Sequence, residues 1–221
     1  MTAEPREFTA TGMATRTAAI LFVFVIIFTG LLSGAYLWTK PSIEASAAEE
    51  KMKLVDEVLP RDTYDNALLN DTLTLPPTAA LGLEESTTLY RARKDGKPVA
   101  LVFEAVAPDG YAGKIRLLVA MQADGSVAGV RVTQHKETPG LGDYVDPKKD
   151  KDKAHPWISQ FQGLPADFPA KDWKVKKDGG RFEYHAGATV TPRAVVKAVA
   201  KAVQWAQAQR EALFAEKGAT P

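Results

Sequence analysis

The first feature of the chain is a long apolar run near its N-terminus. Residues 17–39 carry no charge, and their centre, residues 20–28, consists of aliphatic and phenylalanine side chains. A helix of about 20 apolar residues spans the hydrocarbon core of a bilayer. Tyr36 and Trp38 follow at the far end of the run, where aromatic rings favour the headgroup region. The pattern predicts a single transmembrane helix over residues 17–39.

A cleaved signal peptide is the alternative interpretation of this run. Ala45-Ser46-Ala47 resembles a cleavage site. The apolar core of a signal peptide has about 7–15 residues, whereas this run is longer and ends well before Ala45. We therefore predict an uncleaved anchor. Basic residues stand on both sides of the run, so the charge distribution leaves its orientation undecided.

The segment after the apolar run has helical spacing. Apolar residues recur at helical intervals over residues 43–59, which predicts a helix that ends before Pro60. Pro41 predicts a kink between this helix and the apolar run. Residues 61–77 are rich in turn formers and give no clear element.

Two Asp-Gly dipeptides mark hairpins in the middle of the chain. Asp95-Gly96 and Asp124-Gly125 each stand between two β-rich segments, the strongest local signal for a hairpin. The four segments are residues 87–93, 99–106, 115–121 and 127–132. The two central segments are almost wholly apolar, which predicts an antiparallel sheet that is covered on both faces.

The segments between this sheet and the last helix are shorter. Mixed charges over residues 143–153 predict a solvated loop. A short helix with Pro156 in its first turn and Gly163 at its end follows. Its inward side is predicted to hold Trp157, Ile158 and Phe161. A further short hairpin is predicted between residues 173–176 and 181–184.

The last helix has the clearest pattern. Thr191 is predicted to cap it, Pro192 suits its first position, and Lys217-Gly218 is predicted to end it. One face of this helix is lined by Val195, Val196, Val199 and Val203. The predicted fold is therefore of the α+β class, an antiparallel sheet with packed helices, preceded by a single transmembrane helix.

Composition excludes several kinds of function. With 28 Lys and Arg residues against 27 Asp and Glu residues, the net charge of +1 gives no field for binding nucleic acid. Cysteine is absent, which excludes disulfides, thiolate metal sites, iron–sulfur ligation and a cysteine nucleophile. Three histidines argue against a histidine-rich metal site.

The first candidate binding segment follows the last predicted strand. Residues 135–142 read His-Lys-Glu-Thr-Pro-Gly-Leu-Gly, in which proline and two spaced glycines predict a sharp, exposed turn. Glycine also lets a ligand approach the backbone closely. Glu137 and Thr138 place polar groups at the start of the turn. Spacing alone favours an ordinary turn that ends a strand.

The second candidate segment opens the last helix. Residues 186–192 read Ala-Gly-Ala-Thr-Val-Thr-Pro, and their small side chains leave room beside the backbone. The amides and dipole at the N-terminus of a helix attract an anion such as phosphate. Thr189 would place a hydroxyl beside that anion. Spacing alone again favours the simpler interpretation, a glycine turn with a threonine cap.

Together these segments carry a family resemblance. The sequence Gly110-Tyr111-Ala112-Gly113, the hairpin across Asp124-Gly125, and residues 135–142 and 187–192 occur in this order after an anchor helix. The chain thereby resembles the membrane-anchored FMN-binding subunits of bacterial electron-transport complexes, and among them the G-subunit family of the Rnf complex. The resemblance extends from the anchor to the final helix.

The resemblance implies a covalent cofactor. In that family a flavin transferase joins the phosphate of FMN to a threonine hydroxyl as a phosphoester, and the acceptor corresponds to Thr189. The family has Asp, two variable residues, Ser or Thr, Gly and Ala before the acceptor, whereas this chain has Glu183 and Ala186 at the first and fourth positions. The other residues implied to bind the cofactor are Gly187, Ala188, Thr191, Glu137, Thr138, Gly140, Leu141 and Gly142.

The resemblance also implies a location and partners. The flavin domain would face the periplasm from the bacterial inner membrane, in contact with the other subunits of an Rnf-type complex. That complex moves electrons between reduced ferredoxin and NAD and couples this to ion translocation, so this chain would be an electron relay. The implied layout is a cytoplasmic segment 1–16, a transmembrane helix 17–39, a membrane-proximal helix and connecting region 40–85, and an FMN-binding domain 86–221.

Three alternative functions are kept beside this one. The C subunit of the sodium-translocating NADH:quinone reductase shares the domain and the attachment threonine, although the modest length of this chain favours the Rnf protein. Glu183 and Ala186 leave room for an anchored binding or regulatory module without covalent flavin. A hydrolase has the least support, because no pairing of a nucleophile with a base is visible.

Overall fold

The computed structural model describes residues 10–215, in two compact units divided between Glu50 and Lys51. The first unit consists of helix α1, which runs over Ala10–Asp56 and so also gives its last residues to the second unit. The helix is long and apolar enough to cross a membrane, by length and composition. It continues through Pro41, so the helix predicted over residues 43–59 extends the apolar run outward as the C-terminal part of α1 and ends at Asp56.

The second unit is built on a five-stranded antiparallel sheet with the strand order β1-β2-β3-β4-β5. The strands are β1 (Thr72–Leu75), β2 (Thr87–Lys94), β3 (Lys97–Gly110), β4 (Gly113–Gln122) and β5 (Val127–Gln134). Each strand pairs with the next, and Phe103 lies opposite Val119 in the central pair. The sheet confirms both predicted hairpins and adds β1, a strand that the pattern did not predict.

The first hairpin turn shows why the Asp-Gly signal is reliable. Asp95 and Gly96 both have positive φ angles, 51° and 73°, which match the twist of the flanking strands in a two-residue turn. In the second hairpin, Gly125 has a φ of 93° and Ser126 donates its backbone N–H to the carboxylate of Asp124 at 2.8 Å. Local backbone chemistry therefore fixes the conformation of both turns. The register changes again farther along the strands, between Ala92 and Arg93 in the first hairpin and between Ala120 and Met121 in the second.

Both faces of the sheet are covered, as predicted. On one face, alternate residues of β3 and β4, including Phe103 and Leu117, pack in one core with helix α2 (Val190–Ala215). The valines predicted to line this helix are all buried there. On the opposite face, Val102 and Ala120 pack against apolar residues that come before the sheet in the chain.

The cover on this second face comes from the last turn of α1 and the residues that follow it. Val58 and Leu59 are buried in it, together with Val55, Tyr64 and Leu68. The approach is close at Gly129, where a Cβ atom would lie 2.6 Å from the carbonyl oxygen of Val58. Residues 51–85, which the implied layout separates from the domain over 86–221, therefore belong to the same compact unit and supply its first strand.

Three local predictions are wrong. Residues 143–153 are not simply a solvated loop, because Asp143 and Asp150 are buried and Asp150 accepts a hydrogen bond from the backbone of Trp157 at 2.6 Å. The hairpin predicted over residues 173–184 is reduced to an isolated bridge between Val175 and Phe182.

The third wrong prediction concerns the start of α2, because Thr191 lies inside the helix and not at its cap. Pro192 is buried in the first turn, where a missing N–H costs the helix nothing. The predicted end at Lys217-Gly218 lies outside the described residues. The short helix after Pro156 is confirmed as a 3₁₀ helix over Trp157–Phe161, with its three predicted inward residues buried.

Candidate functional site

Three backbone segments meet around one pocket of about 140 Å³. They are the turn between β3 and β4, the turn that follows β5, and the run that leads into α2. The pocket is lined by Tyr111, Glu137, Leu141, Gly142, Gly187, Ala188, Thr189, Val190 and Thr191. Both candidate segments from the sequence therefore contribute to a single site, although about 50 residues separate them.

The carboxylate of Glu137 holds the three segments together. Its side chain is buried, with 5% of the residue exposed. One oxygen, Oε2, accepts a hydrogen bond from the hydroxyl of Thr191 in α2 at 2.5 Å, and the other accepts from the backbone N–H of Ala112 at 3.1 Å. Thr191 thus binds Glu137 and does not cap its own helix. A buried carboxylate with both oxygens satisfied fixes the floor of the pocket.

Two glycines make room for this carboxylate. A Cβ atom at Gly142 would lie 2.6 Å from Oε2 of Glu137 and 2.5 Å from the hydroxyl oxygen of Thr191. A Cβ atom at Gly110 would lie 2.9 Å from Oε1. All three distances are below 3.0 Å, which real Cβ atoms essentially never show, so a side chain at either position would force these atoms to move.

The turn after β5 has its own local hydrogen bonds. Leu141 donates its backbone N–H to the carbonyl of Thr138 at 3.1 Å, and Gly140 donates to the carboxylate of Asp143 at 2.9 Å. Gly140 has a φ of 76°, a conformation that glycine adopts without strain. Thr138 and Gly140 are exposed and do not line the pocket, whereas Leu141 does.

A buried tyrosine fixes the segment that carries Thr189. The hydroxyl of Tyr144 donates to the carbonyl of Ala188 at 3.2 Å and accepts from the backbone N–H of His185 at 3.3 Å. The rings of Tyr144 and His185 stack with centroids 3.9 Å apart. Burial raises the pKa of Tyr144 to about 12, so the hydroxyl keeps its proton at neutral pH and remains a donor.

The start of the same segment is fixed at Glu183. Its backbone carbonyl accepts a hydrogen bond from the indole N–H of Trp157 at 2.6 Å, and its backbone N–H donates to Gln160 at 2.7 Å. The carboxylate of Glu183 faces solvent, where it pairs with Lys176. Residues 185–187 are exposed. The segment is therefore held at both ends and presented to solvent in between.

Thr189 occupies the N-terminal cap of α2. Its backbone carbonyl accepts the first helical hydrogen bond, from the N–H of Arg193 at 3.4 Å, although the helix itself begins at Val190. Its side chain is half-buried in the pocket wall. Thr189 is therefore adjacent in the chain to the first turn of α2, where free N–H groups and the positive end of the helix dipole lie.

The rim of the pocket is apolar and exposed. Tyr111, Leu141 and Val190 are 70%, 51% and 43% exposed. Among the described residues from Lys51 onward, these are the large hydrophobic side chains that face solvent, and all three line this pocket. An exposed apolar cluster around a pocket that contains a few polar groups is typical of a ligand site.

Of the nine predicted binding residues, seven line the pocket, and Thr138 and Gly140 lie in its turn but outside the lining. Sequence reasoning missed Tyr111 and Val190 as lining residues. Tyr111 does fall in one of the four stretches that carry the resemblance, which is the signal that could have identified it. Val190 falls in another of these stretches, residues 187–192, so the same signal applies to it.

Two family models match the chain. One is described as an FMN-binding domain and matches residues 110–204, a range that contains every residue lining the pocket. The other is described as the RnfG N-terminal region and matches residues 11–58. Along the chain, the RnfG N-terminal match comes first and covers most of helix α1, and the FMN-binding match follows and contains the pocket.

Curated relatives are similar over almost the whole chain. A protein of Pseudoalteromonas atlantica, named as the G subunit of an ion-translocating oxidoreductase complex, is 43% identical over 90% of this chain and 91% of its own length. Proteins of the same name from Vibrio atlanticus and Pseudomonas aeruginosa are 39% and 42% identical, over 91% and 90% of this chain and 94% and 92% of their own lengths. This chain belongs to the RnfG family, the G subunits of ion-translocating oxidoreductase complexes.

Proposed function

We propose that this chain is the electron-relay subunit of a membrane-bound, ion-translocating oxidoreductase complex of the ferredoxin:NAD type, with one FMN joined covalently to Thr189. The relatives are named as G subunits of an ion-translocating oxidoreductase complex, and the match to an FMN-binding domain covers the pocket. The single observation that carries the proposal is the position of Thr189. This residue lines the pocket and stands directly before α2, and its backbone carbonyl accepts the first hydrogen bond of that helix.

The polar part of the pocket fits the phosphate end of FMN. A phosphate esterified to Thr189 would lie against the N-terminal N–H groups of α2, where the helix dipole stabilises negative charge. Gly187, with a φ of 85° and no atom within 4 Å of its Cβ position, and Ala188 leave space on that side. The acceptor oxygen is thus placed where the charge of the product is stabilised.

The apolar rim fits the flavin ring. A pocket of about 140 Å³ is too small to enclose a whole FMN, since sites that bury ligands of that size measure about 300–1,000 Å³. The ring would therefore rest on the exposed side chains of Tyr111, Leu141 and Val190, with part of its surface open to partners. FMN, when bound, supplies the electron transfer, and these residues orient it.

We place the relay in the bacterial inner membrane, with residues 17–39 as the span, residues 1–16 in the cytoplasm and the flavin domain in the periplasm. In this arrangement the domain over residues 86–221 works together with residues 51–85, which share its core. A flavin transferase attaches the cofactor, and the other subunits of the complex deliver and remove electrons. One apolar helix of sufficient length and the RnfG N-terminal match support the membrane placement.

The test is the intact mass of the full chain, isolated from its own membranes with the transferase present and then denatured. The proposal requires a mass above that of the chain by one FMN less one water, because the Thr189 oxygen replaces one oxygen of the phosphate. Thr189→Ala must lose this added mass, and Thr74→Ala, at an exposed position of β1 outside the pocket lining, serves as the matched hydroxyl control. An unmodified wild-type chain would favour an anchored binding module instead.

A further inference from the structure

The charge of the pocket is the reverse of what a site for free phosphate needs. Of the nine described residues that line it, Glu137 is the one acidic or basic side chain. Sites that hold phosphate without a covalent bond generally use arginine or lysine, whose positive charge offsets that of the ligand. Here the lining supplies a carboxylate in place of such a cation.

The position of this carboxylate makes it effective. Both of its oxygens have a hydrogen-bond partner, the N–H of Ala112 for one and the hydroxyl of Thr191 for the other, so the carboxyl group is held in place at both oxygens. Glu137 is buried, so water and salt screen its charge only weakly. Thr191 is two residues beyond Thr189, so the negative charge lies at the same end of α2 that would attract a phosphate.

We propose that Glu137 is a specificity-determining residue that excludes free phosphate monoesters, free FMN among them, and so restricts the pocket to flavin attached at Thr189. A phosphate monoester carries a charge of about −1.5 to −2 at pH 7. The diester formed at Thr189 carries a single negative charge and has a covalent bond to hold it. The inference rests on the proposed function and assigns the selectivity of that site.

The physical reason is competition between two charges for one helix end. The dipole of α2 and its free N–H groups can stabilise only a limited amount of negative charge. Glu137 is held at this helix end by its hydrogen bond with Thr191, so its own charge already takes up part of that stabilisation. A free monoester brings the larger charge and has no bond to offset the repulsion. The covalent product brings the smaller charge and cannot leave.

The experiment measures non-covalent flavin binding to the full chain in detergent, in the Thr189→Ala background where no attachment is possible. FMN and riboflavin are titrated separately and followed by flavin fluorescence. Riboflavin has the same ring and side chain without the phosphate, so it reports changes in the pocket that are unrelated to charge. Glu137→Gln is added as the test, and Glu104→Gln, on β3 beside Arg116, is the matched control outside the pocket.

We expect riboflavin to bind the Thr189→Ala chain at least as tightly as FMN. Adding Glu137→Gln should strengthen FMN binding at least tenfold, equivalent to about 1.4 kcal/mol, and change riboflavin binding less than twofold. Adding Glu104→Gln should change neither affinity. The first comparison needs no change at Glu137, so it stands even if that variant folds poorly.

Three results would overturn the proposal. The first is tighter binding of FMN than of riboflavin by the Thr189→Ala chain. The second is an unchanged ratio of the two affinities after Glu137→Gln, and the third is no measurable FMN binding by the double variant. The proposed function fails separately, through the intact mass of the wild-type chain, so the two failures are distinguishable.

Discussion

Replacing Tyr144 with phenylalanine tests the hydroxyl that holds the Thr189 segment. The ring keeps its stack on His185 and its edge contact with Trp157, so no cavity forms. The variant loses two hydrogen bonds, to the carbonyl of Ala188 and from the N–H of His185. At a net value of about 0.5–1.5 kcal/mol for each bond, with water replacing part of the loss at exposed His185, the free energy of unfolding should fall by about 1.5 kcal/mol at pH 8.

The pH dependence sharpens this prediction. Burial raises the pKa of Tyr144 from its ordinary value of 10.0 to about 12 in the folded chain. Its neutral form therefore contributes stability that is complete below pH 10 and lost as the pH rises through 12. At about 1.36 kcal/mol for each pKa unit, the wild-type chain loses about 1.3 kcal/mol by pH 11 and up to about 2.7 kcal/mol above pH 12. The phenylalanine variant has no such loss.

The assay is urea unfolding of both full-length chains in detergent, followed by circular dichroism between pH 8 and 11. The advantage of the wild type should shrink from about 1.5 kcal/mol to near zero over this range. Burial also raises the pKa of Tyr64 and Tyr90, but both chains contain these residues, so the difference isolates Tyr144. An advantage that is equal at pH 8 and pH 11 would refute the reasoning.

Two further substitutions probe the core and the pocket. Leu59→Ala should lower the free energy of unfolding by about 2–5 kcal/mol, because this residue is 1% exposed in the cover of the sheet; a loss below 1 kcal/mol in urea would show that residues before the sheet are not part of its core. Gly142→Ala should break the hydrogen bond between Thr191 and Glu137 and lower the yield of attached flavin, measured as the flavinylated fraction in the intact mass; an unchanged yield would contradict the tight packing at that glycine.

The elements that sequence predicted correctly are those specified locally. The turn at Asp95-Gly96 requires positive φ angles that these residue types favour, and it brings β2 and β3 together as an antiparallel pair. The valines of α2 repeat at helical spacing because one face of that helix packs in the core. These patterns lie within short stretches of sequence, so the turn and the helix can be predicted without knowing the fold.

The features that sequence missed depend on distant partners. Strand β1 has four residues and exists because β2 pairs with it. Thr191 looks like a helix cap, but Glu137, 54 residues earlier, takes its hydroxyl. Asp150 stands in a charged run and is nevertheless buried, where it accepts the N–H of Trp157. The pocket likewise combines the turn after β5 with the segment before α2. Their sequences alone do not predict that they meet, and only the family resemblance assigned both to one site.

The two fixed ends of the Thr189 segment bear on the order of maturation. The groups that hold it, Trp157 and Gln160 at the start and Tyr144 at the end, come from other parts of the chain and reach it only after folding. Under the proposed attachment at Thr189, a flavin transferase that requires this geometry would act only on the folded domain. The attached flavin would then be present only on chains that have folded correctly, and misfolded chains would lack it.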